Sequence, residues 1–162
     1  MGSTGRKYVR KQEEISIIMD ELQKAAKIAF ASEFAFYLKA HFFHWNVEGI
    51  NFQELHALFD TINSEVYSAI DPFAEKIRSL GAYAPGSNSR FSMLSQIDDE
   101  TQILPGEQMV AELLQDSDNM VLVLKRVYDI AEASGEHGFS NFLAERMDAH
   151  RKHSWQLRAT LK

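Results

Sequence analysis

Apolar residues recur at helical spacing through the first half of the chain and predict two long helices. The first runs from about Glu13 to about His44, with apolar residues three and four positions apart along one face. Those residues are Ile15, Ile18, Leu22, Ala25, Ala26, Ala29 and Phe30, followed by Phe36 and Tyr37. Gly49 interrupts this pattern. The second helix is predicted from Asn51, a residue type that caps helix N-termini, to about Leu80, just before Gly81.

The second half of the chain shows the same periodicity after a long polar connection. Residues 86–106 are rich in turn-forming residues, but apolar positions predict a short amphipathic helix among them. These positions are Phe91, Met93, Leu94 and Ile97. A third long helix is predicted at about 107–132 and a fourth at about 139–161. Four long helices with one long crossover predict an all-α four-helix bundle.

Length and composition predict a single domain. With 162 residues, 45% of them hydrophobic, the chain can bury one core but not two of ordinary size. We expect a flexible basic N-terminal tail at residues 1–12 and a helical domain at 13–162. No apolar run is long enough to span a bilayer, and the start MGSTGRKYVRKQEE lacks the apolar core of a secretory signal. A cytoplasmic protein without a membrane partner is expected.

The cysteine content and net charge limit which metal ligands and binding partners are expected. The chain contains no cysteine, which excludes disulfides and thiolate metal ligands. Its formal net charge of −6 opposes general attraction to nucleic acids and suits a protein that binds cations.

Four side chains of metal-binding type lie along the second helix: His56, Asp60, Asp71 and Glu75. Their offsets of 0, 4, 15 and 19 place them within an arc of about 100° on one helix face. Asp60 and Asp71 are nevertheless about 16 Å apart along the axis, because each residue adds about 1.5 Å. One chain therefore carries two half-sites. An antiparallel copy of the same helix would complete both, which predicts a twofold dimer.

His44 extends this ligand set. It ends the first helix within the segment AHFFHWNVEG, from where its imidazole is expected to reach the same end as His56. Two imidazoles and three carboxylates suit iron, manganese or zinc rather than copper(I) or an iron–sulfur cluster. Iron is the leading candidate.

Pro72 is the irregular residue of the second helix. A proline within a helix removes one backbone hydrogen bond and usually bends the axis. The helix is therefore expected either to stay straight or to bend at Pro72, and a bend would displace Asp71 and Glu75. Asp71 and Glu75 remain one turn apart on the same side.

The segments HWNVEGINFQELHALFD and DPFAEKIRSLG resemble the signature of the Dps family, the ferritin-like DNA-binding proteins from starved cells. The resemblance continues through the flanking helices and the closing HRKHSWQLRATL segment, from about Glu14 onward. It implies a ferritin-like four-helix bundle with a short helix in the long connection between the second and third long helices. It also implies an iron-oxidising site, shared by two subunits, made of His44, His56, Asp60, Asp71 and Glu75.

The resemblance further implies a mini-ferritin with ferroxidase activity. Twelve subunits would form a hollow dodecamer in which hydrogen peroxide or oxygen oxidises Fe(II), and Fe(III) mineral is stored to limit oxidative damage. Zinc and manganese are alternative metals for the same residues. The sequence lacks the two Glu-x-x-His motifs of an intrachain di-iron centre, so a classical ferritin centre is not expected.

Both tryptophans are candidates for large apolar anchors. Trp45 also follows the candidate ligand His44, and the resemblance implies that it accepts an oxidising equivalent and limits the escape of radicals. His41 is expected to be a supporting or surface residue rather than a ligand. His150 and His153 have no spacing that ties them to a site.

Acidic residues near the fourth helix are candidates for an ion-conducting threefold pore, as the resemblance implies. They are Glu136, Glu145 and Asp148, and an ordinary solvated helix face explains them almost equally well.

The N-terminal tail carries Arg6, Lys7, Arg10 and Lys11, which resemble the basic extension of DNA-binding Dps proteins. Because four charges are few and the body is acidic, DNA is expected to bind weakly or not at all. A DNA-compacting protein with a minor iron role is thus the alternative to the mini-ferritin. A purely structural helical oligomer is the third hypothesis, but it gives no reason for imidazoles and carboxylates to share one face.

Overall fold

The computed structural model describes residues 3–162, which form five helices and no strand over that range. The helices are α1 (Ser3–Asn46), α2 (Phe52–Ser79), α3 (Asn88–Leu94), α4 (Gly106–Ala133) and α5 (His137–Thr160). Helices α1, α2, α4 and α5 form the bundle, and α3 lies within the connection from α2 to α4. The predicted all-α bundle with a short helix in that connection is confirmed.

Apolar side chains from all four long helices fill one core. Helix α1 packs against α2, α3 and α4, while α4 packs along α5. Phenylalanines dominate the part of the core contributed by α1 and α2. Phe36, Phe43, Phe59 and Phe73 are fully buried. Burial of a side chain of this size contributes about 1.5–3 kcal/mol to folding.

Helix α1 begins at Ser3, and its predicted start near Glu13 was wrong. Residues 3–12 are therefore helical where a tail was expected, and residues 1 and 2 lie outside the described part of the chain. Residues 5–18 are all exposed, including Ile15 and Ile18, so these turns project beyond the bundle. Arg, Lys, Gln and Glu are good helix formers, which allows the helix to continue without apolar contacts.

The junction between α1 and α2 differs in detail from the predicted capped turn. Asn51 occupies the N-cap position of α2, but its side chain makes no capping hydrogen bond, so the predicted capping role was wrong. Backbone groups close the turn instead: Phe52 N–H donates to Gly49 O at 3.1 Å. Gly49 has a φ of +108°, a conformation that residues with a Cβ rarely adopt. Helix α2 then continues through Pro72 without a break.

Neither tryptophan anchors the core of this chain. The exposed fractions are 60% for Trp45 and 63% for Trp155, so the predicted anchoring role was wrong for the single chain. Both side chains instead offer large apolar surface on the outside of the bundle.

Gly106 positions the start of α4 against the α1–α2 junction. A Cβ at this position would lie 2.6 Å from Leu55 Cδ1 and 3.4 Å from Val47 Cγ2. The missing side chain lets α4 approach the turn of α2 that precedes His56.

Five polar side chains, the core polar cluster, connect α1, α2 and α5 inside the bundle: Glu33, Glu65, Arg146, His150 and His153. Arg146 donates from Nε to Glu33 Oε1 at 2.9 Å and from Nη1 to Glu65 Oε2 at 2.5 Å. His150 Nε2 lies 2.9 Å from Glu33 Oε2, and His153 Nε2 lies 2.8 Å from Glu65 Oε1. Both carboxylates therefore hold a guanidinium and an imidazole at once.

The cluster keeps both carboxyl groups ionised. Burial opposes the charge of Glu65, but hydrogen bonds from His153 and Arg146 outweigh it and lower its pKa from 4.5 to about 2. Burial likewise opposes the charge of Glu33, and His150 and Arg146 lower its pKa overall. For His153, burial is the largest influence and lowers the pKa, which favours the neutral imidazole.

Glu65→Gln should weaken the fold at neutral pH and reduce its sensitivity to acid. A carboxyl group whose pKa is lower in the folded state stabilises that state fully above pH 4.5, and this stabilisation is lost as the pH falls towards 2. The full shift corresponds to about 3 kcal/mol, and solvent screening of the partly exposed side chain reduces it to about 1–2 kcal/mol. Unfolding followed by circular dichroism between pH 7 and pH 2, at fixed protein concentration, measures both effects.

The matched control is Glu21→Gln, which changes an exposed glutamate of α1. It should follow the wild-type pH profile. A Glu65→Gln profile that also coincides with wild type would show that the cluster does not stabilise the fold.

Candidate metal centre

The α1–α2 junction brings His44 and His56 together at one end of the bundle. His44 Nδ1 lies 2.8 Å from the carbonyl oxygen of His56, and His56 Nδ1 lies 2.7 Å from that of His44. The two rings stack with centroids 3.9 Å apart and planes inclined by 20°. This reciprocal pairing fixes both rings to the backbone of the opposite helix.

The same hydrogen bonds determine which nitrogen of each ring is available to a ligand. A carbonyl oxygen only accepts, so Nδ1 of both rings carries the hydrogen. In the neutral imidazole, Nε2 then has a free lone pair, and backbone carbonyls commonly orient metal-binding histidines in this way. The hydrogen bonds of Nδ1 therefore leave Nε2 as the nitrogen that each candidate histidine presents to a metal ion.

Asp60 is the third candidate ligand at this end. It lies one turn after His56 on α2, and its Oδ1 is 3.9 Å from His44 Nε2. The His44 side chain is 16% exposed and that of Asp60 is 59% exposed. The half-site of His44, His56 and Asp60 thus opens to the outside of the chain.

Asp71 and Glu75 lie away from this half-site in the single chain. Both are exposed on α2, and helical rise separates Asp71 from Asp60 by about 16 Å. Within residues 3–162, no group of three or more His, Asp and Glu side chains is arranged to hold one metal ion. The five candidate ligands therefore form two separate groups in one chain.

Trp45 and His41 lie beside the half-site. Their rings are 4.0 Å apart, and the ring of His41 is 5.8 Å from that of His44. His41 Nδ1 is also 3.1 Å from the hydroxyl of Tyr37. Partial burial and the nearby His44 lower the pKa of His41, which favours its neutral form. The supporting role of His41 stays a prediction.

The candidate pore residues lie on α5 or directly before it. Glu145 and Asp148 are exposed on α5, and Glu136 precedes the first residue of that helix. Their role in ion entry stays a prediction.

The core polar cluster was missed from the sequence, although α5 carries a signal for it. Arg146, His150 and His153 continue the spacing of the buried residues Leu143 and Leu157. Polar residues at core positions of a helix require partners from other helices. Those partners, on α1 and α2, are far away in sequence.

None of the helices described over residues 3–162 is long and apolar enough to cross a membrane.

Comparisons with known proteins agree with this architecture. The family model of the ferritin-like domain matches residues 23–162. DNA protection during starvation protein 2 of Bacillus anthracis is 31% identical over 125 residues, which cover 77% of this chain and 86% of that protein. The structure of Dps from Thermosynechococcus elongatus superposes with a TM-score of 0.89 at 23% identity, covering 92% of this chain and 95% of that one.

A third similar protein is described in terms of metal chemistry. The Dps protein of Vibrio cholerae, called a member of a superfamily of ferritin-like diiron-carboxylate proteins, matches with a TM-score of 0.86 at 27% identity. The match covers 90% of this chain and 92% of that one. The matched domain and the similarity along most of the chain lead to one conclusion: this protein belongs to the Dps family of ferritin-like proteins.

Proposed function

We propose that the protein oxidises Fe(II) at sites shared by two chains. Each site would combine His44, His56 and Asp60 of one chain with Asp71 and Glu75 of the partner subunit. The observation that carries the proposal is the reciprocal hydrogen bonding of His44 and His56, because it holds both imidazoles beside Asp60 with Nε2 free.

The geometry of α2 supports a twofold arrangement. The two ligand groups lie on one face of one helix, separated by a fixed length, and all three carboxylates are exposed. An antiparallel second copy of α2 brings opposite groups together at both ends of the pair. Such a dimer would have two equivalent sites, as twofold symmetry requires.

The donor set suits iron as the substrate of the reaction. Carboxylate oxygens favour Fe(III) over Fe(II), and imidazole nitrogens bind both. Two Fe(II) ions supply the two electrons that reduce one hydrogen peroxide molecule, with two protons, to two water molecules. Oxygen is the alternative oxidant. Zinc and manganese would bind the same donors and compete with iron.

Family membership supports the wider assignment. We infer a cytoplasmic dodecamer built from twofold dimers, in which Fe(III) is stored as mineral and oxidative damage is limited. The net charge of −6 per chain favours accumulation of iron cations near the protein.

Trp45 is suited to a protective role at this site. It is exposed and its ring lies against His41, which adjoins His44. We infer that the indole donates an electron to a strong oxidant formed during iron oxidation, so that the radical stays on the protein.

The double variant His56→Ala, Asp60→Ala should oxidise Fe(II) at least about tenfold more slowly than wild type, because it removes two ligands from every proposed site. Initial rates are measured by the absorbance of ferric species after anaerobic loading with Fe(II) and addition of peroxide. Helix content and assembly size should be unchanged, since His56 is partly exposed and Asp60 is exposed.

The matched control is Glu13→Ala, Glu14→Ala, which removes two exposed carboxylates from the projecting part of α1. Its initial rate should equal that of wild type. Equal rates for all three proteins, with intact assembly, would show that His56 and Asp60 are not part of the oxidation site.

DNA binding is the second candidate function. The observation that favours it is the projection of α1 beyond the bundle, since Arg6, Lys7, Arg10 and Lys11 are exposed on these turns. Several copies on one assembly would bind phosphates jointly. The negative charge of the chain opposes this attraction, so the interaction would be weak.

Replacing these four basic residues with alanine should abolish any DNA binding. The binding of the wild-type protein should fall steeply as the salt concentration rises, because each phosphate contact releases counterions. Gel-shift titrations between low and physiological salt measure both effects. A control variant with equal loss of charge replaces exposed basic residues elsewhere, at Lys24, Arg90, Lys125 and Arg151. Tight binding that survives the first replacement at physiological salt would assign DNA to another surface.

A further inference from the structure

The core polar cluster has the composition of a metal site with an arginine at its centre. Arg146 donates to both Glu33 and Glu65, and His150 and His153 each bind one of these carboxylates as well. Two carboxylates, from α1 and α2, and two imidazoles from α5 are donor types that hold metal ions inside helical bundles. The guanidinium binds both carboxylates, and each carboxylate also binds one imidazole.

We propose that Arg146 is the built-in cation of a potential ligand set, and that it keeps divalent metal ions out of the bundle core. With the arginine in place, these side chains are not arranged to hold one metal ion. The proposed ligands are Glu33, Glu65, His150 and His153, and the expected ions are those that accept mixed nitrogen and oxygen donors, such as Zn²⁺, Co²⁺ and Fe²⁺. The proposal uses none of the five intersubunit ligands and does not depend on the proposed ferroxidase activity.

Proximity of the donors supports this assignment. Arg146 Nη2 donates to Glu33 Oε1 and also to Glu65 Oε1, at 3.1 Å in the second case. Since both oxygens bind one nitrogen, they are at most about 6 Å apart, the sum of two hydrogen bonds. An ion that binds oxygens at about 2.1 Å holds them up to about 4 Å apart. For a metal ion to replace the guanidinium, the two carboxylates would therefore have to move together by up to about 2 Å.

Charge explains why the cluster needs a cation. Glu33 is fully buried with His150, and the Arg146 side chain is only 5% exposed. Buried carboxylates without a compensating cation are strongly unfavourable. Arg146 supplies one positive charge that cannot be lost at physiological pH, whereas a divalent ion would supply two.

Two ring nitrogens in the cluster lack any partner. Nδ1 of His150 and Nδ1 of His153 are buried without a hydrogen bond, in side chains that are 0% and 4% exposed. Because the carboxylate oxygens accept, Nε2 of each ring carries a hydrogen and Nδ1 of the neutral ring bears a lone pair. Nδ1 lies on the far side of each ring from the carboxylate that Nε2 binds, so an ion held by Glu33 and Glu65 would bind Nε2, and the ring hydrogen would move to Nδ1.

The cluster also has a route to solvent. The Glu65 side chain is 35% exposed, whereas Glu33 is fully buried. A metal ion can therefore reach the set from the Glu65 side once Arg146 no longer fills it.

The test removes the arginine in full-length protein that already carries His44→Ala, His56→Ala and Asp60→Ala, so that the intersubunit half-site does not contribute. Co²⁺ is the probe, because its visible absorbance reports bound nitrogen and oxygen ligands, and equilibrium dialysis gives the stoichiometry. Adding Arg146→Ala should create one Co²⁺ site per chain, with affinity at least about a hundredfold above that of the parent. Arg146→Lys is the matched control and should stay empty, because it keeps a cation at this position.

Further replacement of His150 and His153 with alanine should abolish the new Co²⁺ spectrum, which assigns it to the cluster. Arg146→Ala leaves two buried carboxylates uncompensated and is expected to lose stability, so thermal unfolding is measured with and without Co²⁺. The ion should raise the unfolding temperature of Arg146→Ala but not that of its parent. A second variant, Arg146→Ala with Glu33→Gln, removes one negative charge together with the cation and should also bind Co²⁺.

Three results would overturn the proposal. The first is a parent protein whose core already binds Co²⁺ with Arg146 present. The second is equal binding by Arg146→Lys and Arg146→Ala. The third is a lack of both binding and thermal stabilisation by Co²⁺ in Arg146→Ala and in its Glu33→Gln derivative.

Discussion

The rise of the α-helix is the constraint on which the candidate metal centre depends. Helix α2 runs unbroken from Phe52 to Ser79, so the distance of about 16 Å between Asp60 and Asp71 cannot be closed by side-chain rotation. Iron chemistry that uses all five candidate ligands therefore requires a second chain. In this account, assembly and activity have one cause, because the contact that joins two copies of α2 also completes the sites.

Two pairs of histidines in the same bundle show how hydrogen bonding decides which ring nitrogen can bind a metal ion. At the α1–α2 junction, Nδ1 of His44 and His56 donates to backbone carbonyls, which leaves Nε2 free beside an exposed carboxylate. In the core, Nε2 of His150 and His153 binds carboxylates that already hold Arg146. Similar donor types thus form an open half-site at the surface and a closed ion-pair cluster inside.

Helical periodicity made the long helices and the shared helix face of His56 and Asp60 predictable, since both depend on spacing within about one turn. The approach of His44 depends instead on the turn between α1 and α2. The start of α1 was not predictable in this way, because its first turns have no buried face and continue through helix propensity alone. The core polar cluster was missed because Glu33, Glu65 and Arg146 meet only after three helices have packed. The exposure of Trp45 was missed for a related reason: residue type indicates apolar surface but not whether the same chain covers it.

Complementation between inactive variants tests the shared site most directly. One variant lacks His44, His56 and Asp60, the other lacks Asp71 and Glu75, and each should be inactive because every site in its homo-oligomer is incomplete. Unfolded and reassembled together, they should recover about a quarter of the wild-type rate per chain, since about half of randomly formed dimers are mixed and each holds one complete site of two. Mixed dimers verified by mass spectrometry that remain as inactive as either parent would contradict the account.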